Sequence, residues 1–252
     1  MMLTAERHEK ILSLLKKKEI MTVKKICEDT QASESTIRRD LTELEKKQLI
    51  KRVHGGASLL KKKRDEPSLL EKTSKNQQAK NAIAKRAANL VENGDTIYLD
   101  AGSSTIELIP FLKDKAVVVV TNGIPHVQLL IEYGIETYVI AGKAKKGTAA
   151  LVGTKAVDAI KEYRFDKCFL GINGIHPEHG LTTPDPEEGS VKQMALLQSQ
   201  SKFVLADPSK FGEIAFANVG DVSDVHIITS EGIEDELIQQ IKNLSTVEEV
   251  QV

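Results

Sequence analysis

Along the first sixty residues the apolar positions recur at helical spacing three times and then alternate as strands do twice. After Thr4, the residues Ile11, Leu14 and Leu15 fall three and four apart, predicting a helix that closes on the basic run Lys16, Lys17, Lys18, where cations suit a helix C-terminus. Thr22 is placed to cap a second short helix with Val23, Ile26 and Cys27 facing inward, and Thr30 to Ala32 reads as a turn. Ser33 then caps a third helix: its hydroxyl can accept from an unpaired first-turn N–H, and Glu34 follows where the helix dipole favours an anion. In that helix Ile37, Leu41 and Leu44 share one face while Ser35, Arg38, Arg39 and Thr42 share the other. Leu49 to Val53 has strand character, Gly55 and Gly56 permit a tight reversal, and Ala57 to Leu60 returns as a second strand. The predicted unit is a winged helix-turn-helix of about 55 residues, enough for one small core.

Residues 58–76 mix a basic run, a proline and polar residues, and read as a linker. Beyond it the pattern changes period. A-K-N-A-I-A-K-R-A-A-N-L-V-E-N-G predicts an amphipathic helix closed by Gly94, and T-I-Y-L-D-A-G a buried strand. Helical S-T-I-E-L-I-P-F-L-K, P-H-V-Q-L-L-I-E-Y-G and K-A-V-D-A-I-K-E-Y-R-F then alternate with strands V-V-V-V-T, T-Y-V-I-A-G and K-C-F-L-G-I-N. A helix around V-K-Q-M-A-L-L-Q-S-Q, strands K-F-V-L-A-D and V-H-I-I-T, and a last helix E-D-E-L-I-Q-Q-I-K-N-L complete the series. Strands apolar throughout and separated by helices require a parallel sheet covered on both faces. The chain is therefore expected to be α/β, with a DNA-binding-type unit at 1–57, a linker at 58–76 and a Rossmann-like α/β domain at 77–252.

Charge sharpens this division. The 252 residues, 40% apolar and 28% charged, carry a net charge of −1. Residues 1–64 hold 17 Lys and Arg against 9 Asp and Glu, a net +8, and the remainder 18 against 27, a net −9. A small basic unit joined to a larger acidic one is the footprint expected when only the first touches phosphates. No run approaches the roughly 18 apolar residues of a membrane span, and the N-terminus meets charge at once, so a cytoplasmic protein with no membrane partner is expected. Cys27 and Cys168 sit in apolar contexts without metal-ligand spacing, which predicts small core residues and no metal site.

Candidate chemistry falls in two places. The polar face of the third helix suits a major groove, where residues near a helix N-terminus reach base edges and guanidinium forks match guanine. Taken alone that helix reads sooner as a solvated surface; the charge division and the two preceding helices favour DNA. In open α/β sheets ligands sit outside the carboxyl ends of strands. There Ala101-Gly102-Ser103-Ser104-Thr105 offers small residues, free N–H groups and hydroxyls to an anion, or simply caps a helix. Asn122, Asn173 and the group Asp207 to Lys210 follow other strands, and G-L-T-T-P-D-P-E-E runs into a helix carrying Lys192.

Both halves resemble one family. E-R-H-E-K-I-L-S-L-L and S-E-S-T-I-R-R-D-L-T-E-L-E-K-K-Q-L-I-K-R-V-H-G-G-A, within residues 4–57, are similar to the DNA-binding domain of the DeoR family of bacterial transcription regulators. The resemblance implies that Ser35, Thr36, Arg38 and Arg39 lie on the recognition helix and Arg52 and His54 on the wing. Ser33 and Thr42, at the cap and on the polar face, complete the candidate DNA surface. D-A-G-S-S-T, V-T-N-G, G-x-N-G, G-L-T-T-P-D-P-E and A-D-P-S-K-F-G resemble the family's sensor domain, itself similar to ribose-5-phosphate isomerase and a binder of phosphorylated sugars. R-F-D-K-x-F-L-G-x-N-G with T-T-P-D-P-E is most like the fructose-operon repressors, whose effector is fructose 1-phosphate. Carried across, Gly102, Ser103, Ser104 and Thr105 would hold the phosphate. Asp100, Asn122, Asn173, Asp185, Glu188, Lys192, Asp207 and Lys210 would surround the sugar. The chain departs from its relatives where they carry Gly-Gly and an arginine: it has Ala141-Gly142, then Lys143, Lys145 and Lys146, and a lysine keeps the charge but not the bidentate fork.

The expected function is thus a repressor of a sugar-utilisation operon, in the first place fructose. It would bind double-stranded operator DNA as a homodimer or homotetramer and be relieved by a phosphosugar such as fructose 1-phosphate, with no cofactor and no catalysis. One alternative is a sugar-phosphate isomerase carrying a DNA-binding module, with Asp185, Glu188 and Lys192 as acid and base. Another is nonspecific DNA architecture, marked by a steep salt slope and no preferred sequence.

Overall fold

The computed structural model describes residues 2–18, 20–53, 55–59 and 66–252, with Lys16 and Lys17 described by their backbone alone. The chain divides into two compact units, Met1–Lys62 and Lys63–Val252. The first contains α1 (Thr4–Lys18), β1 (Ile20–Thr22), α2 (Val23–Thr30), α3 (Glu34–Lys46), β2 (Ile50–Val53) and β3 (Gly56–Leu59). Ile11, Leu15, Ile26, Ile37, Leu41, Leu44 and Ile50 meet in one core, the inward faces that the apolar spacing required. The wing is larger than the expected hairpin, because β3 pairs with both β2 and β1, giving an antiparallel sheet in the order β1-β3-β2. Gly55, at φ +72, takes the left-handed conformation of the reversal, and a Cβ on Gly56 would lie 2.2 Å from the carbonyl oxygen of Met21. Only glycine lets β1 and β3 approach this closely.

Part of the expected linker is structured. Ser58 and Leu59 belong to β3, and a short helix, α4 (Leu69–Thr73), forms at Ser68, whose hydroxyl and the Glu71 carboxylate make a capping box. The backbone N–H of Leu69 donates to the carbonyl of Gly147 at 2.9 Å, so α4 belongs to the second unit.

That unit continues with α5 (Gln77–Ala88), β4 (Thr96–Leu99), β5 (Val118–Thr121), α6 (Ile124–Glu132), β6 (Glu136–Val139), β7 (Lys143–Ala144), β8 (Leu151–Val152), α7 (Thr154–Lys161) and β9 (Phe165–Gly171). It ends with β10 (Gly174–His176), β11 (Gly180–Thr183), α8 (Pro186–Leu197), β12 (Ser199–Leu205), β13 (Ala217–Gly220), β14 (His226–Ser230), α9 (Asp235–Lys242) and β15 (Val247–Val250). Seven strands form one parallel sheet in the order β15-β14-β12-β9-β4-β5-β6. Alternate residues serve opposite faces: Ile97, Leu99, Phe169 and Phe203 pack beneath α5, and Tyr98, Cys168, Leu170 and Val204 beneath α7, α8 and α9. This is the doubly covered α/β sheet the apolar runs demanded.

Three expectations change. The stretch after Thr105 is a 3-10 helix, Ile106–Leu112, with Pro110 inside it, since proline withholds the N–H that an α-helix would need there. The helix before β4 ends at Ala88, six residues short of Gly94. A small antiparallel sheet, β10-β11-β13, crosses the loop region where no strand was expected, and β15 adds a further edge. Chain order runs from β4 outward through β5 to β6, then restarts on the other side of β4 with β9. The carboxyl ends of β4 and β9 thus meet at a topological switch point, where such sheets bind ligands.

Candidate functional site

In the first unit α3 presents its polar face as the sequence implied. The Ser33 hydroxyl accepts from the Thr36 N–H at 3.3 Å and lies 3.0 Å from the Ser35 hydroxyl and 2.8 Å from that of Thr36, so the helix begins in a cluster of donors. Ser33, Ser35, Arg38, Arg39 and Thr42 are exposed and Thr36 and Arg52 half-buried. The arginines differ in commitment. Both Arg38 Nε and Nη2 donate to Glu34, at 2.8 and 2.6 Å, whereas Arg39 has no partner among the described residues. Thr42 donates to the Arg38 carbonyl, and the Arg52 guanidinium reaches that carbonyl and the Thr42 hydroxyl at 3.4 Å. Arg52 and Thr42 therefore tie β2 of the wing to α3. His54 lies outside the described residues.

A feature absent from the candidate set fixes α3 in place. Asp40 is fully buried and accepts from Arg7 Nε and Nη2, the latter at 2.9 Å, with His8 Nε2 3.2 Å away. Burial alone would push the Asp40 carboxyl up, but Arg7 and His8 outweigh it and hold it below its ordinary range. Charge-assisted, bidentate bonding of this kind locks the angle between α1 and α3.

In the second unit the switch point carries a small pocket of about 40 Å³. Asp100, Gly102, Ser103, Ser104, Asn173, Glu188, Lys192 and Lys210 all line it, joined by Glu66, Lys72 and Thr148. Asp100 is buried, accepting from the Gly171 N–H at 3.0 Å and from Lys192 Nζ at 2.5 Å. Glu188 stands one turn before Lys192 on α8; its Oε1 accepts from Thr148 at 2.8 Å and Lys145 at 3.1 Å. The hydroxyls and N–H groups of Ser103 and Ser104 make no hydrogen bond to any described residue, leaving four donors free at the pocket wall.

The remaining candidates stand behind this wall. Thr105 Oγ1 donates to the Asp100 carbonyl and accepts from the Gly102 N–H at 3.0 Å, so it shapes the cradle from within. Behind it His126 Nε2 lies 3.1 Å from the same hydroxyl, and burial pushes that imidazole down to about 4, keeping it neutral near pH 7. Asn122 accepts from the Ala101 N–H at 2.9 Å and donates to the Leu151 carbonyl at 3.3 Å, pinning the loop's first residue. Asp185 caps α8 through the Glu187 N–H and pairs with Lys145 at 2.9 Å. Asp207 is buried beneath Asn76, Ser209 and Lys210; burial opposes its charge, but Lys210 and the hydrogen bonds of Ser209 and Asn76 hold it below the usual range.

Of the three lysines that follow Gly142, Lys143 is exposed against Glu187, Lys146 is exposed, and Lys145 pairs with the pocket residues Glu66 and Glu188. Burial opposes the Lys145 charge, yet Glu66, Glu188 and Asp185 together raise its pKa. Lys80 is buried, bonds the Lys72 carbonyl, and is pushed down to about 8 by burial, with Asp207 acting the other way. Glu66, Lys72 and Lys80 were invisible to motif reading because they come from the expected linker and the face of the following helix. Among the described residues no group of three or more His, Cys, Asp or Glu could hold a metal ion. No helix among them is long and apolar enough to cross a membrane.

Residues 7–63 match the DeoR-like helix-turn-helix domain and residues 75–231 the DeoR C-terminal sensor domain. The chain belongs to the DeoR family. It is 49% identical to the uncharacterized HTH-type transcriptional regulator FruR of Bacillus subtilis (strain 168), over 92% of this chain and 93% of that protein. It is 36% identical to the lactose phosphotransferase system repressor of Lactococcus lactis subsp. lactis, over 81% and 82%. Among solved structures, ribose 5-phosphate isomerase A from Methanocaldococcus jannaschii aligns with a TM-score of 0.41 at 20% identity, over 54% of each chain. This DeoR regulator thus pairs a DNA-binding helix-turn-helix domain with a sensor domain whose pocket opens at the β4/β9 switch point.

Proposed function

We propose that this regulator represses a sugar-utilisation operon, in the first place fructose, and is relieved when a phosphorylated sugar such as fructose 1-phosphate enters the β4/β9 pocket. The observation that carries the reading is the pocket wall itself. Free N–H and hydroxyl donors of Ser103 and Ser104 face the same space as Lys192, Lys210, Asn173 and Glu188. Backbone donors and lysines suit a phosphate, while carboxylate and amide side chains accept from and donate to sugar hydroxyls. Asp100 and Lys192 are satisfied by each other, so Lys192 orients Asp100 and leaves the serine donors as the phosphate seat. The name of the lactose phosphotransferase system repressor points to a sugar-linked signal in a relative, which supports the same class of signal here.

Arg39 and Arg38 would read base edges, and two copies of the chain would engage a pseudo-palindromic operator with half-sites about one turn, roughly 34–36 Å, apart. Release then needs a ligand that favours a different arrangement of the two copies. The test is a thermal-shift panel of sugar phosphates alongside gel shifts of the protein's own promoter region, since a ligand selective for the native state raises the midpoint. Fructose 1-phosphate should raise the midpoint and release the DNA, with fructose having no effect. Conversion of any sugar phosphate, lost on Glu188→Gln, would replace this reading with the isomerase.

A further inference from the structure

The pocket is far smaller than ordinary small-molecule sites: about 40 Å³, against roughly 300–1,000 Å³. One of its walls is a side chain from just beyond the DNA-binding unit. Glu66 keeps only 8% of its side chain exposed; one carboxylate oxygen lies 2.5 Å from Lys72 Nζ and the other 2.5 Å from Lys145 Nζ. Burial would raise the Glu66 pKa, but the two lysines overcome it and keep the group ionised. The segment is fastened a second time where the Leu69 N–H meets the Gly147 carbonyl, two residues past Lys145.

We propose that Lys72 and Lys145 form an anion subsite for the effector's phosphate, and that Glu66 occupies it in the ligand-free protein as an internal competitor. The inference rests on the phosphosugar reading above and adds the residue the ligand must displace. The charges favour such an exchange. Lys145 already holds Asp185 at 2.9 Å and Glu188 at 3.1 Å, so it stays paired when Glu66 leaves. A phosphate carries up to two negative charges and three acceptor oxygens, so it offers Lys72 more than one carboxylate can. Glu66 and Lys72 line the same small pocket as Ser103 and Ser104, and Lys145 meets that pocket through its pairing with Glu66 and Glu188. Displacement would release the Glu66 end of the segment that α4 anchors at Gly147.

The experiment uses the full chain and Glu66→Gln, which keeps the shape and removes the charge. Calorimetric titration with fructose 1-phosphate, and separately with inorganic phosphate, is paired with hydrogen exchange over residues 66–73. A latch closed in about nine molecules of ten would lower apparent affinity about tenfold, so Glu66→Gln should bind both ligands about tenfold more tightly. Ligand should speed amide exchange around Leu69 in the native chain and add nothing in the variant. If the native chain binds no sugar phosphate, the sensor reading fails and this inference with it. If it binds one but Glu66→Gln binds no tighter, or exchange near Leu69 is unchanged by ligand, the latch is wrong and the sensor reading stands.

Discussion

The Lys192→Met variant tests the pocket's charge arrangement. Lys192 Nζ lies 2.5 Å from an Asp100 oxygen, and at an effective dielectric of about 20 that separation corresponds to roughly 7 kcal/mol of gross attraction. Desolvating both ions costs several kcal/mol each, so the intact pair adds little net stability. Methionine fills the volume but leaves a buried carboxylate whose one remaining donor among the described residues is the Gly171 N–H at 3.0 Å. Breaking a buried pair from one side costs about 3–5 kcal/mol. In a unit of this size each kcal/mol moves the midpoint by about 2–4 °C, giving an expected fall of about 6–20 °C in the sensor transition by calorimetry. The double variant Asp100→Asn with Lys192→Met, which removes both charges, should recover most of that loss. A single-variant fall below about 2 °C, or strictly additive effects in the cycle, would refute the claim that the two groups are a coupled buried pair.

Other outcomes follow from the same geometry. Arg39→Ala should cost about 1–3 kcal/mol of operator preference in gel shifts at fixed salt, with the phosphosugar response intact; undiminished selectivity would move the reading surface elsewhere. Ser104→Leu should abolish the phosphosugar thermal shift without changing operator affinity in its absence, and a surviving response would mean the cradle is misplaced. Because the folded pKa of Asp40 is lowered, its stabilisation of the DNA-binding unit is fully present above its unfolded value near 3.8 and disappears as pH falls through the folded one. Asp40→Asn should therefore flatten acid unfolding of that unit below about pH 4, as followed by circular dichroism on a fragment spanning it. A curve parallel to the native one would exclude Asp40 as the acid-sensitive group.

The fold was largely legible because its central strands contain short apolar runs buried on both faces, as at 97–99, 119–121 and 168–170. What escaped were elements held only by distant partners. Ile20–Thr22 is three residues long and becomes a strand because Gly56 to Ser58 lies beside it. Val247–Val250 carries two glutamates and reads as a tail until paired with β14. The pocket was legible to the same degree. Asp100, Ser103, Ser104 and Lys192 follow strand ends or motifs, whereas Glu66, Lys72 and Lys145 meet only when segments nearly eighty residues apart fold together. Sequence spacing also could not separate residues that face a ligand from those, such as Thr105 and Asn122, whose polar groups are spent holding the loop.

The Arg7–Asp40 clamp bears on where the DNA-reading module begins. The carboxylate in the middle of α3 is paired from α1, whose Arg7 also reaches the Met2 carbonyl at 3.1 Å. A fragment starting at Ile20 would lose Arg7 and His8, the partners of Asp40, together with Ile11 and Leu15 of the shared core. For this regulator the support of α3 therefore includes α1, and trimming that helix removes the partners that hold the middle of α3 in place.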